Sequence, residues 1–247
     1  MERNKSHWTA AAAWNLTVLG EFPPDAHALA VRSSGGRSDE RLVRHCTGIP
    51  AATDRLEGLE VTTLARTVID LARVAPFSVG VVAADAALRG DPGGTHRALD
   101  RGLLLDEIGP PGRRGAARAR QVVEFADAGS GSPGESLSRA SMLLAGIPAP
   151  VLQFKFSDRL GVIVADFWWP QFDLVGEFDG RIKYEDPRYL AGRTPQQAVL
   201  DEKFREDRIR ALGPRVSRWG WDVALSPGRL RAHLVAAGVR PERYRNW

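Results

Sequence analysis

A single cysteine, Cys46, stands in the 247 residues, so the chain can form no internal disulfide and no cysteine-based zinc site. On its own it reads as a small core residue. Long apolar runs are missing too: nothing approaches the uncharged stretch of about 18 residues that a membrane span requires, and the opening MERNKSHWTAAAAWNL has no apolar core behind its charges. A cytoplasmic protein without a membrane partner is expected. No internal repeat is found. What remains is 43% hydrophobic and 26% charged, the balance of a soluble globular chain, long enough for one large or two ordinary domains.

A net charge of +4 and a pI of about 9.6 suit a nucleic-acid partner, although arginine-rich composition also follows from genome base bias. The distribution says more. Residues 158–186 hold seven acids and three bases, whereas residues 202–247 hold eleven Lys/Arg and five acids. An acidic centre beside a basic segment fits metal plus phosphate backbone, and solvated helix faces explain the basic part equally well.

Residues 126–135, ADAGSGSPGE, are small and flexible in composition and end in a helix-start signal, so the domain boundary is set there, giving 1–128 and 129–247. The first part reads as mostly helical with a small β element. His7–Leu16 is a short Ala-rich helix; Ala26–Ser33 and Leu42–Thr47 are strands of a hairpin around Gly35-Gly36, with a short third strand at Leu59–Val61. Thr62-Thr63 caps a helix to Val74, Pro76 opens another to Arg89, and Thr95–Leu104 is helical. Asp70 and Asp85 are read as surface or capping acids. In PPGRRGAARAR, residues 110–120, Arg114 and Arg118 fall four apart on one helical face, either tracking a phosphate backbone or facing solvent.

In the second part, Ser132, Pro133 and Glu135 fit the N-cap, N1 and N3 positions of a capping box opening a helix to Leu144. Val151–Phe156 and the stretch VIVADFWWPQFDLVGEFDG, residues 162–180, make a three-stranded antiparallel meander. A charged helix (Gln196–Leu212), a fourth strand (Val216–Trp219) and a closing helix (Ser226–Ala237) follow. The fold class is therefore α+β.

Alternation places Val162, Val164, Asp166 and Trp168 on one strand face and Ile163, Ala165, Phe167 and Trp169 on the other; Val175, Glu177 and Asp179 share a face of the next strand. Two adjacent strands thus aim acids at each other. Like charges in an apolar setting repel and lose solvation, so a divalent cation between them, Mg2+ or Mn2+, is the natural resolution. That pattern points to phosphodiester chemistry. Glu135 already has a capping role and can also point toward the metal.

An acid on a first helix, an Asp on a second strand, then Glu177-Phe178-Asp179-Gly180-Arg181-Ile182-Lys183 on a third resembles the PD-(D/E)XK nuclease superfamily. The likeness is to its very-short-patch-repair-endonuclease-like branch, whose third strand reads E-x-D-G-x-x-H. VADFWWP, EDRIRALG and RVSRWGWDV resemble further segments of that branch, so the likeness runs over about residues 132–223. Residues 61–73, VTTLARTVIDLAR, with the Ala-rich opening helix, loosely resemble the regulatory region of abortive-infection type IV antitoxins.

The resemblance implies a restriction-endonuclease-like αβββαβα core and a metal-dependent endonuclease acting on nucleic acid, DNA first. Asp166 and Glu177 would hold the metal, the Phe178 carbonyl would complete its shell, and Asp179 would be a second ligand or general base. Two positions depart from the pattern. Asp179 stands where the superfamily usually has a lysine, and Lys183 stands at the histidine; Lys183 or Lys203 can supply the missing cation. Arg181, Lys203, Arg208 and Arg210 would clamp phosphates, and Trp168, Trp169, Trp219 or Trp221 would stack on bases. The alternative implied is a non-catalytic DNA-binding regulator, antitoxin-like, that retains the nuclease fold. Either reading allows a toxin or repair partner, and two-strand cutters of this kind often dimerise.

Overall fold

The computed structural model describes residues 4–30, 41–47, 50–180 and 194–242, which divide into two compact units, Met1–Ala128 and Gly129–Trp247. The division falls inside the small-residue segment. Both units mix helix and sheet, an α+β architecture.

The first unit opens with α1 (His7–Ala13), followed by β1 (Ala26–Leu29) and β2 (Leu42–His45). These two strands pair in parallel, Ala26 opposite Leu42 through Leu29 opposite His45, and not as the hairpin expected. Alternation fixes which face a strand buries, but not the direction of its neighbour. The connection carrying Gly35-Gly36 lies outside the described residues. A true hairpin forms next, β3 (Thr53–Leu56) with β4 (Leu59–Thr62), turning on Glu57 and Gly58, both at positive φ. Lys5 bridges to Ala28 and Val61 and so joins the two small sheets.

Helices α2 (Leu64–Val74) and α3 (Phe77–Arg89) form the centre of this unit, with α2 packed by α1, α3, α4 (Arg101–Ile108) and α5 (Ala116–Phe125). Covered on several sides, they bury Asp70 and Asp85, which the sequence reading had placed at the surface or at caps. Asp70 pairs with Arg66 at 2.9 Å, and Asp85 accepts the Asp127 N–H at 2.7 Å. Cys46, expected in the core, is exposed. α4 runs Arg101–Ile108, later than expected, because Asp91 accepts the N–H groups of Gly93 and Thr95 in a turn and Asp100 caps Gly102. α5 (Ala116–Phe125) starts after Gly115 in the left-handed region, so Arg114 precedes the helix and does not share its face with Arg118.

The second unit is built on one four-stranded sheet, β5 (Val151–Asp158), β6 (Gly161–Trp169), β7 (Leu174–Phe178) and β8 (Arg215–Trp219), in that spatial order. The first three are antiparallel; β8 joins β7 in parallel by way of α7 (Pro195–Ala211). α6 (Pro133–Leu144) precedes the sheet, and α8 (Trp221–Ala224) and α9 (Pro227–Ala236) follow it. Ser132 caps α6, accepting the Glu135 N–H.

Two aromatic layers cover opposite sheet faces. On the α6 side Phe167 stacks on Trp219 at 5.5 Å, Trp219 Nε1 donates to Ser138 Oγ and Trp169 Nε1 to the Pro148 carbonyl. Ser141 Oγ on α6 also donates to the Ala224 carbonyl at 2.6 Å. On the other side Ile163, Ala165, Trp168 and Val175 pack with Ile209 of α7. Trp168, Trp169 and Trp219 are therefore core residues, not surfaces for base stacking. The expected alternation of β6 also breaks: Ala165 faces α7 but Phe167 faces α6. The cause sits at Gln153 and Asp166, where β5–β6 pairing lapses and Gln153 takes a φ of 49°.

Gly134 lets α6 lie on the sheet, since a Cβ there would fall 1.9 Å from the Phe178 ring. Gly134→Ala is expected to destabilise the second unit by about 3 kcal/mol or more through overpacking. Urea denaturation of the full chain checks this; a midpoint matching wild type would show that the helix–sheet contact has slack.

Candidate active site

The slipped alternation places Asp166 at the fork where β6 and β7 part. The two strands pair from Trp169–Leu174 to Phe167–Gly176. Beyond that pair the Asp166 carboxylate takes over, Oδ2 accepting the Phe178 N–H at 3.0 Å. Glu177 lies across the fork, only 4% exposed because all of β7 is buried.

Glu177 Oε2 accepts from Arg205 Nη2 of α7. Its Oε1 is buried with no hydrogen-bond partner among the described residues. Burial first, then the charge of Asp166, push the Glu177 carboxyl up to about 7, against the opposing pull of Arg205. One oxygen is answered by a cation and the other is left unanswered.

Arg205 is itself fixed on three sides. It contacts Glu202 Oε1 at 2.7 Å and Oε2 at 3.0 Å, and donates to the Val164 carbonyl at 2.8 Å. Burial would lower its pKa, but the bonds from Glu202 and Glu177 outweigh this and hold it above the ordinary value. Arg218 of β8, opposite Glu177 in the parallel register, extends the network to Glu202 at 2.8 Å and Glu206 at 3.1 Å. Its Nε lies 4.0 Å from Asp179 Oδ2. Asp179 follows β7, half-exposed, with its N–H on the Trp219 carbonyl. Sequence reasoning missed Arg205, Arg218 and Glu202. The Glu202–Arg205 spacing of three on a helix was a readable signal; the reach to Glu177 was not, because it needs the docked crossover.

Several of the other expected site residues are tied to partners of their own. Glu135 caps its helix and its loop, accepting from Ser132 Oγ at 2.8 Å, the Gly131 N–H at 2.7 Å and Gln153 Nε2 at 2.9 Å. Arg208 holds Asp158 with two bonds and the Gly161 carbonyl with a third, closing the β5–β6 turn. That pairing keeps the Asp158 carboxyl down at about 2. Arg210 pairs with Glu206 at 2.6 Å, and Lys203 is exposed on α7. Trp221 is half-buried, edge-on to Phe178. Arg181 and Lys183 lie outside the described residues.

Among the described residues no group of three or more His, Cys, Asp or Glu side chains is arranged to hold a metal ion. The pair Asp166 and Glu177 remains, and a Mg2+ or Mn2+ ion commonly takes only one or two carboxylates beside water and phosphate oxygens. The unpartnered Oε1 and the adjacent Asp166 fit that demand. No helix among the described residues is long and apolar enough to cross a membrane.

The chain is similar to two uncharacterised proteins from two strains of Mycobacterium tuberculosis, 31% identical to each over 192 residues. The match covers 76% of this chain and spans 65% of the length of those relatives. No protein-family model matches the chain. No solved structure matches it.

The Glu177 carboxyl sets a pH dependence of stability. Between its ordinary value of 4.5 and about 7 the folded chain keeps a proton that the unfolded chain has released. Stability is therefore lost as pH rises through that window and levels off above it. Glu177→Gln should flatten the slope, gaining on the order of 2 kcal/mol relative to wild type across the window, read by urea denaturation at several pH values. An unchanged slope would assign the proton elsewhere.

Proposed function

We propose that residues 129–247 form a divalent-cation-dependent phosphodiester hydrolase, endonuclease-like and acting on DNA, with Mg2+ or Mn2+ at Asp166 and Glu177. The observation that carries the reading is the unpartnered Glu177 Oε1 beside the Asp166 carboxylate, on a strand whose other residues are apolar. The order of elements supports it: helix, antiparallel meander, crossover helix and parallel fourth strand are what the PD-(D/E)XK resemblance implies.

In this reading Asp166 and Glu177 hold the cation, with the Phe178 carbonyl as a further ligand. A bound cation lowers the pKa of a water and polarises the phosphoryl oxygen. Asp179, half-exposed where Glu177 is buried, takes the proton of the attacking water. Arg205 and Arg218 supply fixed positive charge where the resemblance expects a lysine, and exposed Lys203 meets the phosphate backbone.

One observation favours a second reading. Arg205 already neutralises Glu177 Oε2, so the acids can serve the fold alone in a non-catalytic, antitoxin-like DNA-binding regulator. A toxin or repair protein as partner fits either reading.

Supercoiled plasmid and labelled single strands, incubated with Mn2+, Mg2+ or chelator, separate the two. The nuclease reading expects metal-dependent nicking that falls at least about 100-fold in Asp166→Ala and Glu177→Ala, with Mn2+ binding lost in calorimetry. Folded protein that binds DNA with a steep salt dependence, but neither nicks it nor takes up Mn2+, would overturn the nuclease in favour of the regulator.

A further inference from the structure

The first unit holds a cavity of about 590 Å³, in the size range of small-molecule sites, whose lining includes Arg44, Arg73, Arg113, Arg114 and Arg118. Asp70, fully buried and already paired with Arg66, is the one acid among the described lining residues. Burial first, then the charges of Arg66 and Arg113, lower the Arg73 pKa despite Asp70 and Glu107. Arg113, Arg114 and Arg118 stand exposed at the rim of the cavity, and Arg44 and Arg73 are half-buried in its wall.

The chain fixes Arg73 among them. Arg73 Nη1 and Nη2 donate to the carbonyls of Arg114 and Ile108, at 2.8 Å and 2.5 Å, and those bonds orient the guanidinium without cancelling its charge. Gly115 makes the arrangement feasible: at a φ of 75°, a Cβ there would fall 2.8 Å from the Arg73 carbonyl oxygen. Glycine thereby brings the Arg113-Arg114 loop against Arg73, while the first turn of α5, which has no side-chain cap, presents Arg118 and its positive end at the same cavity. His45 on the wall stacks on His7 at 3.5 Å, and burial followed by His27 holds its pKa at about 4. It is neutral near pH 7, so the positive charge of the cavity is that of the arginines.

We propose that this cavity binds a phosphate monoester. Forked guanidinium donors and a helix N-terminus match the oxygens of a terminal dianionic phosphate, and a concavity admits a chain end or a free nucleotide more readily than a duplex side. The site lies within the first unit and is independent of the acids at Asp166 and Glu177.

Calorimetry on the full chain tests this with inorganic pyrophosphate, a 5′-mononucleotide, and a short DNA oligonucleotide with and without its 5′-phosphate. The expected result is saturable binding of phosphate-monoester probes, weakened at least about tenfold by Arg114→Gln with Arg118→Gln, two exposed positions whose loss leaves the circular dichroism spectrum unchanged. Tighter binding of the mononucleotide than of the phosphorylated oligonucleotide assigns a free nucleotide; the reverse assigns a nucleic-acid end. No binding of any probe at about 1 mM, equal affinity in the variant, or oligonucleotide binding indifferent to the 5′-phosphate would overturn the proposal.

Discussion

Burying a carboxylate in an apolar sheet costs several kcal/mol unless something answers its charge, and Glu177 is that carboxylate. Around it the second unit is arranged in a chain of compensations. Arg205 answers one oxygen, Glu202 holds Arg205, Arg218 holds Glu202, and Glu206 ties Arg218 and Arg210 to the same helix. Three acids and three arginines are thus arrested on one face of the sheet. Beside Glu177 lie Trp168, Val175 and Ile209, an apolar layer that makes its buried charge expensive to leave unpaired, whereas Arg210 at the far end is exposed.

Much of the fold could be read from residue order. The capped helix at Ser132, the strands around Asp166 and Glu177, the crossover helix and the fourth strand all stand within a few residues of where their periodicity puts them. The departures share a cause: they depend on partners distant in sequence. The β1–β2 pair runs parallel, a direction that no local pattern encodes. Asp70 and Asp85 are buried because α2 and α3 are wrapped by other helices. The face of Phe167 depends on an unpaired Gln153 in another strand, so strict alternation assigns it to the wrong side.

The candidate site was legible in its acids and silent in its bases. Asp and Glu inside apolar strands are conspicuous because little else justifies their presence there. Arginines on a charged helix are not, since Arg205, Arg208 and Arg210 look alike in sequence. Only packing separates them: Arg205 reaches a buried acid, Arg208 closes a turn and Arg210 pairs along its own helix. The arginine-lined cavity of the first unit was legible only as a basic run, since Arg44 and Arg73 join it from other elements.

The hydrogen bonds from Trp219 to Ser138 and from Ser141 to Ala224 span 81 and 83 residues of chain. Closing such long loops is entropically slow and goes unrewarded until the parallel strand is seated. The second unit is therefore a poor candidate for stepwise assembly. Two polar partners of its opening helix arrive only with its closing strand and helices, as does Arg218, so the charge network around Glu177 is completed late although Asp166 and Glu177 meet locally. A nascent or nicked chain without β8 lacks Arg218, which confines the complete set of charges to the fully folded protein.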